Sequence, residues 1–317
     1  MITKIPAQDG DMRMAMNYAW ALAAGIVLID CLWLPLAGFH AAPMPLLRDA
    51  AIFAALCGLW GIYALLRPDA SLAALIETAA FLVIFTLGLE LLSYFSTALS
   101  LPLRDSDFAA ADHALGFDFP AHLAFVAERP RLAHVLEFAY NTSMAQIVIT
   151  VIALSATHRI ARLRAYAVLF ALTATIVIAT AAIFPSLGPY AYFNIPDTLL
   201  PAFGNPRTGW QSVPHVLALR DGTMRTLPLN DLRGLVSFPS FHTALALVTV
   251  WAVLPIRALA VPFFAVNALL IFGAPSNGDH YLCDLIGGAV VAFLGLGIVT
   301  GGLAPRFALA PAPVPAE

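Results

Sequence analysis

"HYLCDLIGGAVVAFLGLGIVTG", residues 280–301, is apolar along nearly its whole length and carries a single carboxylate, Asp284. A helix of about 20 such residues crosses the hydrocarbon of a bilayer, so this stretch reads as a membrane span with a histidine and an aspartate at its mouth. Comparable runs lie at approximately 17–39, 50–67, 72–98, 132–156, 165–184, 238–254 and 258–274. Together they make about eight spans. The chain of 317 residues is 61% hydrophobic and only 11% charged, against roughly 25% charged in a soluble protein. The excess recurs as span-length runs, so the expected fold is all-α, a polytopic transmembrane helical bundle in the lipid bilayer.

The first run is interrupted by Asp30 and preceded by Asp9 and Asp11 beside Lys4 and Arg13. It therefore reads as a retained helix and not as a cleaved secretory signal. Residues 1–69 form an N-terminal region with two additional spans, 70–305 a membrane domain with a six-helix core, and 306–317 a Pro/Ala-rich disordered tail. Short cytoplasmic loops collect Lys and Arg. With the N-terminus inside, that side holds Lys4, Arg13, Arg67, Arg159, Arg162, Arg164, Arg257 and Arg306. The long connections, 99–131 and 185–236, then face outward. A net charge of −3 names no partner, and nothing points to nucleic acid. Cys31, Cys57 and Cys283 have no metal-knuckle spacing and read as small apolar residues. Neither metal nor cofactor is expected, and oligomeric state is not legible.

A second stretch, "SFPSFHTALALV" (237–248), puts Ser240 and His242 at the start of the sixth span. His280 opens the eighth, and two crossings separate the histidines, so both emerge at one surface, the outer one by the charge argument. His280 and Asp284 are four apart, which on a helix puts them on one face. A carboxylate there fixes the imidazole tautomer and leaves the other ring nitrogen free. Each helix start also offers unpaired N–H groups, a natural seat for phosphate. Ser237 and Asn277 are expected as the N-caps of these two spans, with Pro239 in a first helical turn. The Ser240 hydroxyl is then a donor to a phosphate oxygen.

At these residues the sequence resembles the type 2 phosphatidic acid phosphatase superfamily. Pro239 to His242 match its Pro-Ser-x-His motif, and His280 to Asp284 match its His-x-x-x-Asp. "HYLCDLIGG" and the Gly/Pro-rich "FPSLGPYAYF" (184–193) are most similar to the inositolphosphotransferase branch, which includes fungal inositol phosphorylceramide synthase. The resemblance implies a metal-independent double displacement: His280 attacks phosphorus and forms a phosphohistidine, Asp284 orients it, and His242 protonates the leaving oxygen. The implied substrate is a phospholipid or lipid phosphate, with water or an alcohol such as inositol as acceptor.

Two family features are absent. The arginine six residues before the nucleophile is Ala274 here. The Lys-x6-Arg-Pro motif has one near match, "HLAFVAERP" (122–130), which lies two spans too early and is set aside. The positive charge that phosphoryl transfer requires is therefore expected from Arg233 and Arg207. Asp105, Asp107, Asp112 and Asp118 in the 99–131 connection read either as a membrane-surface segment or as loop caps. Glu90 and Glu137 lie at the depth of the site, as acceptor-pocket or structural groups. The same residues also admit a membrane transporter with histidine proton relays, or an inactive lipid-binding relative.

Overall fold

The computed structural model describes residues 9–203 and 210–302. The chain runs α1 (Asp9–Leu36), α2 (Pro43–Gly61), α3 (Ala70–Thr97), α4 (Asp105–Ala114), α5 (Phe119–Ala127), α6 (Pro130–Asn141) and α7 (Ser143–Ala156). It continues through α8 (Ile160–Ile183), α9 (Pro189–Tyr192), α10 (Val213–Arg220), α11 (Phe241–Val253), α12 (Arg257–Gly278) and α13 (Leu282–Gly297). Short π-helical turns extend α2 and α13. Among the described residues the strands are two dipeptides in parallel, His40 beside Thr226 and Ala41 beside Leu227. The fold is an all-α polytopic helical bundle.

Among the described residues, six helices are long and apolar enough to cross a membrane, α1, α2, α3, α8, α12 and α13. The run at 132–156 is a pair, α6 and α7, bent by 47°, and counted as one span it makes a seventh. The remaining expected span, the sixth, is α11, of only 13 residues. At 1.5 Å per residue that is roughly 20 Å, short of the ~30 Å hydrocarbon thickness. Apolar content alone does not reveal this, because the residues before Phe241 are spent in a loop with a cis Phe238–Pro239 peptide.

Without a hydrophobic driving force between helices in lipid, close packing and polar contacts hold such a bundle together. A central cluster joins Met16 and Ala23 of α1, Phe81 and Phe85 of α3, Tyr166 and Phe170 of α8, and Val248 of α11. Thus α1 belongs to the main core, while α2 lies outside along α3. Arg162 donates to the carbonyls of Trp251 and Ala252 at the end of α11 and stacks over the Trp251 ring at 4.2 Å. A cation at a helix C-terminus meets both its unpaired carbonyls and the negative end of its dipole. Arg159 donates to the Pro255 carbonyl nearby. This basic cluster sits at the end of the bundle opposite the two histidines. The expected tail at 306–317 lies outside the described residues.

Candidate active site

The site is built where α13 crosses the start of α11. A Cβ on Gly288 would fall on the Ser240 carbonyl, and one on Gly287 would lie 3.0 Å from Phe238 and Pro239. The paired glycines after Asp284 therefore let the Ser237–Ser240 loop lie directly on α13. Backbone joins backbone there: the Ser240 amide donates to the Asp284 carbonyl at 2.9 Å.

His242 is the second residue of α11 and is partly buried. His280 is 2% exposed and lies in the three-residue turn between α12 and α13, where Asp279 takes the left-handed conformation, φ 58°. The two imidazole centroids are 6.3 Å apart. His280 Nδ1 is 3.2 Å from Asp284 Oδ2 although His280 itself precedes the helix. The same oxygen accepts the Ser237 hydroxyl at 2.7 Å and the Tyr281 amide at 2.9 Å. Asp284 is fully buried, so these donors replace the water it has lost.

Several expected roles are reassigned. The N-cap of α11 is Ser240, whose oxygen accepts from the Thr243 amide, and not Ser237, which donates to Asp284. Pro239 precedes the cap. Asn277 lies inside α12, and Tyr281 is the N-cap of α13. The start of α13 is no empty phosphate seat: Asp112 accepts from the Leu282 and Cys283 amides, each at 2.8 Å, beside the Tyr281 amide held by Asp284. A carboxylate satisfies these helix-end donors as a phosphate would.

Asp112 belongs to α4, in the connection read as a surface segment or as caps of its own loops. It caps a helix 170 residues away, while Asp118 caps its local helix. Asp105, also on α4, accepts from the Ser186 hydroxyl at 2.6 Å, the Leu187 and Gly188 amides and the Tyr281 hydroxyl at 3.1 Å. α4 thus ties the "FPSLGPYAYF" segment to the turn that carries His280. Burial pushes the Asp112 carboxyl above its ordinary value, against its two amide bonds.

Asp279 completes the tie. Its Oδ1 accepts the Tyr190 amide at 2.7 Å, and its carboxyl packs on Gly188, where φ is +98° and a Cβ would collide with it. Only glycine satisfies both conditions. Oδ2 has no hydrogen-bond partner and the residue is 2% exposed. Burial, with Asp284 and Asp105 nearby, holds this carboxyl well above its ordinary 3.8. A group so raised favours the folded state fully below the unfolded value, and that contribution is lost as pH rises through the folded value. Asp279→Asn cannot ionise and keeps the acceptor for Tyr190. Its melting temperature in detergent should exceed that of wild type by more at pH 8 than at pH 5; an equal or lower value at pH 8 would contradict a neutral Asp279.

Of the sequence-derived residues, His242, His280, Asp284 and Ser240 come together. Ala274, in the family's arginine position, is fully buried among Ala139, Leu270 and Leu285. The Arg233 guanidinium is engaged by Asp231 at 2.8 Å and the Gln211 carbonyl at 2.6 Å. Arg207 lies outside the described residues. Arg129 of the discarded motif stacks on Phe125 and pairs with Glu128 at the surface. His134 bonds the Pro130 carbonyl, and Tyr140, in no motif, contacts His242.

A family model described as the PAP2 superfamily, that of the type 2 phosphatidic acid phosphatases, matches residues 106–298, more than half of the chain. The chain belongs to the PAP2 superfamily. The match begins within α4, one residue after Asp105, and ends within the π-helical turn after α13, so it takes in both motif histidines, Asp107 and Asp112 and leaves out α1, α2 and α3. Neither a curated protein nor a solved structure matches the chain. PAP2 membership and the apolar helices make this an integral membrane protein of lipid-phosphatase type.

Proposed function

We propose that the protein transfers a phosphoryl or phosphoester group from a lipid phosphate or phospholipid head group through a phosphohistidine on His280. The observation that carries this reading is the pair of imidazoles 6.3 Å apart with a buried carboxylate on Nδ1 of one of them. With its Nδ1–H donating to Asp284, His280 presents the Nε2 lone pair to phosphorus. As the P–N bond forms, the bond to the leaving oxygen breaks and His242 gives that oxygen its Nε2 proton. In the second half, water or an alcohol attacks phosphorus, its proton passes to His242, and the P–N bond breaks.

Charge argues for the donor. Asp105, Asp112 and Asp284 are all buried around the turn, and the family's arginine position is Ala274. A phosphodiester carries one negative charge where a monoester carries up to two, so it suits this surround better. Arg207 and Arg233 are the proposed phosphate-binding cations, with Ser240 as hydroxyl donor. The inositolphosphotransferase-like reaction follows as the finer proposal. A crevice between the ends of α3 and α8, lined by Ser93, Thr97, Ala181, Val236 and Ser237, supports a sideways approach from the bilayer. The basic cluster of Arg159, Arg162 and Arg164 at the far end supports an outward-facing site in a cell inner membrane.

The test is mass spectrometry of lipid products from purified protein in detergent, with mixed phospholipids as donors and myo-inositol and glycerol as acceptors. A new head-group lipid made by wild type and lost in His280→Ala identifies a transferase. Released phosphate or head-group phosphate alone identifies a hydrolase. No His280-dependent product from any donor rejects the enzyme reading in favour of a transporter or an inactive lipid-binding protein.

A further inference from the structure

Tyr140 lies on the last turn of α6, immediately before the bend into α7, and is 4% exposed. Its hydroxyl is 3.0 Å from His242 Nδ1, and the two rings lie 4.5 Å apart at 31°. On its other side the same hydroxyl borders Gly278, where an added Cβ would meet both the Tyr140 oxygen and His280 Cδ2. The phenol therefore touches one histidine and abuts the residue beside the other. Its position is fixed from below, because α6 packs along α12 with Leu136 against Gly273. His280 is the other titratable group facing His242, with Asp284 behind it.

Building on the proposed function, we infer that Tyr140 is a positioning residue for His242: its oxygen accepts the Nδ1 proton and reserves Nε2 as the atom that gives up and takes back a proton. The imidazolium has two N–H groups. It loses the one on Nε2 to the leaving oxygen and keeps the one on Nδ1, held by Tyr140. Nε2 then has the lone pair that takes the proton of the attacking water or alcohol, which restores the imidazolium. Were the remaining proton to settle on Nε2, the ring would face the acceptor as a donor and could not act as a base.

The two histidines have different partners, which matches their different tasks. His280 has a carboxylate partner, Asp284 Oδ2 at 3.2 Å from its Nδ1, which fixes the tautomer and leaves Nε2 free as the nucleophile. A phenol, with an ordinary pKa near 10, orients its ring while adding no negative charge. His242 is thus oriented through Nδ1 by a neutral partner, and Nε2 is left to exchange the proton.

Tyr140→Phe in the full-length protein keeps the ring and its packing and removes only the hydroxyl. With a phospholipid donor, whose alkoxide leaving group needs a proton, kcat should fall about 10- to 100-fold, part of the range for general acid–base catalysis, with KM unchanged. With a nitrophenyl phosphodiester, whose leaving group needs none, the burst of nitrophenolate should match that of wild type. In nitrogen-15 spectra of histidine-labelled protein, with His242 assigned through His242→Gln, the neutral ring should carry its proton on Nδ1 in wild type and lose that preference in Tyr140→Phe. Equal losses on both donors, or an unchanged tautomer, would overturn the inference. Should wild type turn over no donor, the proposed function fails and takes the catalytic role of Tyr140 with it, whereas the spectra still decide whether the Tyr140–His242 bond sets the tautomer.

Discussion

His280→Ala should lower kcat by at least about 10⁴-fold and leave no covalent phosphoryl label, since loss of a covalent nucleophile acts on that scale. The measurement is single turnover with a radiolabelled phospholipid donor, quenched in alkali to preserve a P–N bond. The expected pattern across the site separates the roles. Wild type accumulates label on His280. His242→Gln forms it from a nitrophenyl donor but slowly from a phospholipid, because only the second leaving group needs an acid. Asp284→Asn forms it slowly from both, because Asp284 Oδ2 holds the nucleophile's Nδ1 and also the Ser237 hydroxyl and the Tyr281 amide. Label that survives in His280→Ala would put the nucleophile elsewhere and dismantle the proposed mechanism.

Gly288→Val should be the most damaging change outside the reacting groups. The added Cβ would fall on the backbone carbonyl of Ser240 and lies close to Thr243 Cβ, so no side chain can turn aside to make room. Overpacking costs roughly 1–3 kcal/mol and occasionally more, and with backbone on the other side the value belongs at the upper end. We expect about 3 kcal/mol of lost stability, read as a lower melting temperature in detergent, together with loss of turnover as α11 and α13 separate. Gly297→Val, where nothing lies within 4 Å of the added atom, serves as the control. A Gly288→Val protein as stable and active as that control would show that the crossing is not needed.

The bundle was legible because long apolar runs admit few readings in a chain so poor in charge, and the superfamily because two short motifs carry it. What sequence could not supply was pairing at a distance. Tyr140 is 102 residues from His242, and Asp105 is 176 from Tyr281; no periodicity links such positions. Asp112 was visible as one of several loop aspartates, but a local cap and a cap on a remote helix look alike in a sequence. Ser237 was the expected cap and Ser240, three residues on, the expected phosphate donor; in the structure Ser240 is the cap and Ser237 reaches Asp284, beside the close crossing at Gly288. The doubled glycine three residues after Asp284 was the one available signal for that crossing. The expected count of about eight spans compares with six long helices and a bent pair among the described residues, because hydropathy registers apolar residues whether they continue a helix, bend it at Asn141–Thr142 or form a loop before it.

The junction of Ser240 with Asp284 and Gly288 also bears on how the protein meets bilayers of different thickness. Helices adjust to a thicker or thinner membrane by tilting. Contacts made by long side chains can slide under such tilt, but here an amide-to-carbonyl bond and a glycine contact fasten the start of α11 to the first turns of α13. The two helices must tilt as one body about that point. The distance between His242 and His280 is then set by main-chain geometry and stays the same as the surrounding lipid changes.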